Sequence, residues 1–159
     1  MADMDRYDEA KSVKLFVQDA DDIKVVSSLL QDALFASADM RYDHMAGEFV
    51  AVVNRFCWEQ APRYEGPDKR PVFARTLAGL RIINVQDVKR RGLEKDAEFY
   101  NLLTIDYDEQ DKQLHLVFSA QADIKIQVTQ LQMVLADLSA DYPTHAKPKR
   151  RSGIITAQQ

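Results

Sequence analysis

The stretch VVNRFCWEQ, residues 52–60, holds the single cysteine and the single tryptophan of a 159-residue chain. A cysteine acts as a nucleophile only as its thiolate, which needs a nearby cation or a helix N-terminus. It also needs a base, usually histidine. Arg55 and Glu59 flank Cys57 at two residues either way; the first favours ionisation and the second opposes it. The histidines stand at 44, 115 and 145, and none forms a recognised pairing pattern with the cysteine. In a strand, Arg55, Cys57 and Glu59 share one face, while Asn54, Phe56 and Trp58 share the other. Cys57 therefore reads as a small half-buried residue beside an Arg–Glu pair. An enzyme site near Arg55 and Cys57 stays open as an alternative, with no catalytic residue assigned.

Other patterns that could do chemistry fall short. DYDEQD at 106–111 supplies four acids, but a calcium loop wants Gly at its sixth position and Glu at its twelfth. Asp111 and Val117 stand there, so an acidic hairpin turn is the simpler reading. The histidine spacing offers no metal site. The five glycines have neither Walker nor dinucleotide-binding spacing, and no GxSxG elbow occurs. No metal, cofactor or catalytic residue is expected from pattern. Two basic clusters remain, VKRRG at 88–92 and KPKRR at 147–151.

The elements that must position these residues follow from periodicity. Residues 1–12 are polar and acidic and read as a flexible arm. KLFV (14–17) reads as a strand. DADDIKVVSSLLQDALF (19–35) reads as a helix, with Asp19 as N-cap, Asp21 and Asp22 in the first turn, and Ile23, Val26, Leu30, Ala33 and Leu34 on the buried stripe. From residue 38 the period becomes two, predicting a hairpin with its turn at 43–47. A Pro/Gly-rich loop follows at 60–71. Residues 72–93 read as one bent strand with Gly79 at a bulge or close approach, and 98–128 as three strands with short turns. Thr129 and Gln132 form a capping box, and Leu131, Val134, Leu135 and Leu138 follow helical spacing, predicting a C-terminal helix. Residues 142–159 read as a disordered basic tail.

About seven strands joined by short turns pair antiparallel, so the expected class is α+β. The expected fold is a curved, mainly antiparallel sheet or roll with an early helix and a C-terminal amphipathic helix, as in a pleckstrin-homology-like domain. The expected single domain is 13–141.

Bulk properties narrow the setting. The 46% hydrophobic and 29% charged content is that of an ordinary folded chain. One cysteine excludes an internal disulfide and suits a reducing compartment. The acidic N-terminus lacks the features of a signal peptide, and no run reaches the ~18 apolar residues of a membrane span. A cytoplasmic protein with no membrane partner is expected. A net charge of −4 argues against a dedicated nucleic-acid binder. The cation-rich tail leaves weak nucleic-acid contact as an alternative.

At NRFCWE, then VKRRGL, then LVFSAQADIKIQVTQLQMVLADL, the chain resembles a family of small, mostly alphaproteobacterial proteins known as domain of unknown function 2948. The resemblance covers roughly residues 13–148. It implies a bacterial cytoplasmic protein and supplies no substrate, cofactor or catalytic residue. In that family the position of Cys57 is often basic, so this chain departs from the pattern there. The functional expectation is a non-catalytic protein-interaction module with an unknown protein partner, or a homodimer. Its candidate surface is Asn54, Arg55 and Trp58 with Lys89 and Arg90, since Arg and Trp carry binding hot spots.

Overall fold

The computed structural model describes residues 12–64, 70–93 and 99–148. Most of the expected arm and the end of the tail lie outside these residues. Strand β1 (Lys14–Val17) leads into helix α1 (Ala20–Leu29). Asp19 caps the helix from an extended backbone, its carboxylate accepting the Asp22 N–H at 2.8 Å. Asp22 in turn accepts the Gln18 N–H at 3.1 Å. Ile23 and Val26 are buried, as are Leu30 and Ala33 beyond the helix. The helix is shorter than its apolar stripe suggests. Leu30 is the C-cap, Asp32 takes a positive φ of 60°, and the chain turns straight into a strand.

That strand, β2 (Leu34–Asp43), pairs with β3 (Glu48–Phe56) as the expected hairpin. Gly47 sits in the turn at φ 65°, a conformation open to glycine at little cost. A short β4 (Arg63–Tyr64) precedes β5 (Pro71–Ile82) and β6 (Val85–Arg91). Next come β7 (Phe99–Asp108), β8 (Gln113–Phe118) and β9 (Asp123–Val128), the three strands expected there. The last strands among the described residues are β10 (Met133–Asp137) and β11 (Tyr142–Thr144).

All pairings are antiparallel, in the order β1-β10-β5-β3-β2-β7-β8-β9-β6, with β4 and β11 also on β5. Only Ile83 and Asn84 separate β5 from β6, so the last strand of this path is chained to its third, and the sheet must curve back on itself. The bend is fixed by hydrogen bonds. Asn84 has φ 60° and its amide donates to Gln132 Oε1 at 2.9 Å. Ile83 N–H donates to the Gln132 carbonyl and Thr129 N–H to the Asn84 carbonyl. The kinks in β5–β6 and β9–β10 thus face each other. One core fills the concave side, with Phe35 packed edge-on to Phe118 at 5.0 Å between centroids. Helix α1 closes part of it, with Ser27 Oγ accepting the Ile105 N–H of β7 at 3.0 Å.

Three expectations are corrected. The sheet has eleven strands rather than about seven: the long bent strand is two, and β4, β10 and β11 are added. Residues 129–138 form no helix. Met133–Asp137 is a strand between β1 and β5, and with the C-terminal helix gone the pleckstrin-homology-like order loses its closing element. The bend expected in the long strand comes at Asn84. Gly79, expected at a bulge or close approach, pairs in regular register with Val52 and Ala136, and a Cβ there would stand 3.4 Å from the Leu138 side chain, an ordinary contact. The expected domain boundary at 141/142 also falls inside the sheet, since Tyr142–Thr144 pair with β5.

Candidate functional site

The expected surface on β3 is largely interior. Arg55 is fully buried. Its Nε and one terminal nitrogen donate to the two Asp137 oxygens at 2.8 and 2.9 Å. Its terminal nitrogens also donate to the two Glu59 oxygens at 2.8 and 2.9 Å. Burial alone would lower the Arg55 pKa, but the hydrogen bonds and charges of Glu59 and Asp137 outweigh it and raise it further. Asp137 also accepts the Val13 N–H at 2.8 Å, so one guanidinium ties β3, β10 and the start of β1 together. Asn54 is committed as well: it donates to the Tyr142 hydroxyl at 2.6 Å and accepts from Arg75 Nε at 2.8 Å. Trp58 is half-buried, donates its indole N–H to the Gln31 carbonyl at 2.9 Å and packs on Phe56 at 4.6 Å. The expected strand alternation runs through residue 59, but β3 ends at Phe56 and residues 57–60 form a turn, with the Gln60 N–H donating to the Cys57 carbonyl. Arg55, Phe56 and Cys57 are buried in succession.

The Cys57 thiol is pushed up to about 12, first by burial and then by Glu59, Asp137 and Asp141, against the opposing effect of Arg55. It is therefore protonated at neutral pH and cannot serve as a nucleophile there. Exposed to a thiol reagent at pH 7, the folded protein should label at least ~100-fold more slowly than in denaturant, because reaction needs both opening and ionisation. Comparable rates in the two states would refute this placement.

Lys89 and Arg90 lie elsewhere, exposed on β6. β6 ends the sheet and pairs only with β9 among the described residues. Register brings other groups beside them. Lys89 stands directly opposite Lys125, and Lys125 directly opposite His115. Arg91 stands opposite Asp123, whose carboxylate accepts from Arg91 Nε at 2.8 Å and bonds His115 Nε2 at 2.6 Å. Burial would raise the Asp123 pKa, but the hydrogen bonds from His115 and Arg91 hold it below the ordinary value, so it is ionised at neutral pH. A groove of about 180 Å³ is lined by Lys89, Arg90, Arg91, Asp123 and Lys125. It adjoins a larger hollow of about 500 Å³ that shares Arg91 and Asp123 and adds His115 and Gln121. No β3 residue lines either, so the two halves of the expected surface do not share this groove.

Residues 13–150 match a family described as a protein of unknown function, DUF2948, and this is most of the chain. The chain belongs to that family. No curated protein and no solved structure is matched. The family match spans every strand described above, so the basic face lies within the family's domain.

Sequence reasoning missed Arg91, His115, Asp123 and Lys125 as neighbours. The VKRRG run marked β6, but its partner across the ladder depends on register, which a single sequence does not state. In the DYDEQD turn, Asp108 accepts the N–H groups of Gln110 and Asp111 at 3.0 and 3.1 Å, as a hairpin turn requires. Among the described residues no group of three or more His, Cys, Asp or Glu is arranged to hold a metal ion. No helix there is long and apolar enough to cross a membrane. Of the KPKRR cluster, Lys147 lies over the Phe73 ring at 5.6 Å; Lys149, Arg150 and Arg151 lie outside the described residues.

Proposed function

We propose that this member of the DUF2948 family is a non-catalytic protein-interaction module that takes an extended acidic segment of a partner along β6. One observation carries the reading. The terminal strand of the sheet presents Lys89 and Arg90, and among the described residues neither pairs with an acid, nor does the facing Lys125. A terminal strand offers backbone groups to an added strand, and the cations select an acidic one. They also favour a foreign partner over a homodimer through this edge, because a second copy would bring Lys89, Arg90 and Arg91 against their like. Cations on an edge strand can alternatively serve to block edge pairing, and the two roles separate by experiment. A fluorescent acidic decapeptide should bind with an affinity that falls with salt, and Lys89→Glu with Arg90→Glu should weaken it at least ~10-fold. Absent binding at low salt, or binding indifferent to the reversal, rejects the reading. Self-association of the reversed variant without peptide loss would assign the cations to edge blocking.

A further inference from the structure

The outer face of β6, β9 and β8 carries its charges in rows. Lys89, Lys125 and His115 occupy consecutive directly opposed positions, which places neighbouring Cβ atoms ~5 Å apart. Like charges directly opposed weaken a sheet, yet this row sets lysine against lysine, and both are exposed. Three acids share this face: Asp106 stands directly opposite His115, Asp87 lies two residues before Lys89 on β6, and Asp123 is already engaged. One oxygen holds Arg91 Nε and the other holds His115 Nε2. It orients both groups at the rim. Arg91 uses only Nε in this contact, and among the described residues its two terminal nitrogens make no hydrogen bond.

We infer that the groove lined by Lys89, Arg91 and Lys125, with His115 in the adjoining hollow, seats a phosphoryl dianion. This rests on the reading above, in which the dianion arrives on the acidic segment laid along β6. Several cations converging on one small groove exceed what a single carboxylate can satisfy, having one charge and two oxygens. A phosphoryl group brings a charge of roughly −1.5 to −2 and three strong acceptor oxygens, and guanidinium with ammonium donors is the usual set for it. The groove is short, and the chain as a whole has a net charge of −4. A long polyanion would run from the patch onto repelling surface, whereas one phosphoryl group on a protein segment would not.

The test uses three fluorescent decapeptides identical except at one central position, occupied by serine, glutamate or phosphoserine, together with inorganic phosphate. The phosphoserine peptide should bind at least ~10-fold tighter than the glutamate peptide, and Lys125→Gln should abolish that preference while changing glutamate-peptide affinity less than ~3-fold. Inorganic phosphate should shift the His115 ring resonances saturably at constant ionic strength. Equal binding of the phosphoserine and glutamate peptides, both dependent on Lys89, would overturn the phosphoryl site and leave the acidic-segment module standing. Phosphate saturation at His115 with no peptide binding would support the site and remove the module. A single-stranded oligonucleotide displacing the phosphoserine peptide at equal phosphate concentration would overturn a protein segment as the carrier.

Discussion

Replacing Arg55 by methionine should destabilise the protein by about 3–5 kcal/mol, the cost of leaving a buried charge without its partner. The asymmetry of the two carboxylates explains why. Glu59 is 30% exposed at its side chain, so it can turn toward water once its partner is gone. Asp137 is only 4% exposed at its side chain, and it is held by the Val13 N–H from β1 as well as by the strand it belongs to. It must then either keep an uncompensated charge in the interior or take up a proton. Methionine fills similar volume, which separates the charge effect from a cavity. A second change, Asp137→Asn, removes the stranded charge and should return ~2 kcal/mol or more, a coupling visible in a double-mutant cycle. Urea unfolding should show the loss as a lower midpoint at unchanged slope. A loss under ~1 kcal/mol would mean that the three groups are hydrated and that the buried placement is wrong. The expected result also bears on Arg55 as a binding residue. Any loss of a partner on changing it would follow from loosening β1, β3 and β10, which is why Lys89 and Lys125 are the residues to change instead.

The parts of the fold legible in the sequence are those where local chemistry and burial agree. Asp19, with acids behind it, specifies the start of α1 whatever the sheet does. Leu114, Leu116 and Phe118 alternate with polar residues, and so do Ile124, Ile126 and Val128; both sets are buried. The Asp43–Gly47 turn carries its own glycine. What was illegible depends on distant pairing. Arg55 and Glu59 are neighbours in sequence, but Asp137 is 82 residues away and turns a surface pair into an interior triad. Lys89 and Lys125 each look like ordinary exposed lysines until register sets them opposite each other. The covering of Phe56 likewise needs Phe73, 5.7 Å away on β5, and no spacing within residues 52–60 announces it. The same register that hid the basic groove made β3 misleading, since alternation identifies two faces but not what lies on each.

Replacing Leu135 by alanine should cost about 3–5 kcal/mol, as for other fully buried leucines in tight cores, and it tests the one element whose type was misread. Residues 131–138 satisfy two periods at once. Leu131, Val134, Leu135 and Leu138 fit a helix stripe, whereas Leu131, Met133 and Leu135 alternate as in a strand, and a short apolar run cannot settle this by period alone. The capping box added a helix-start signal, but residues 129–132 are instead taken up by the bend opposite Asn84. In the strand, Leu135 is wholly buried between Leu15 of β1 and Leu80 of β5. Leu138, by contrast, is 59% exposed. A C-terminal helix would bury both along one stripe and make their losses comparable. The strand predicts a steep order instead, with Leu135→Ala and Met133→Ala severe and Leu138→Ala costing about 1 kcal/mol or less. Thermal or urea unfolding of the three variants decides between the two, and equal losses at 135 and 138 would restore the helix. Loss at Leu135 should also release the β1 edge first, because among the described residues β1 pairs with the sheet only through β10. Hydrogen exchange in Leu15 and Val17 should then outpace exchange in β8 and β9, whose ladder on the basic side does not involve β10.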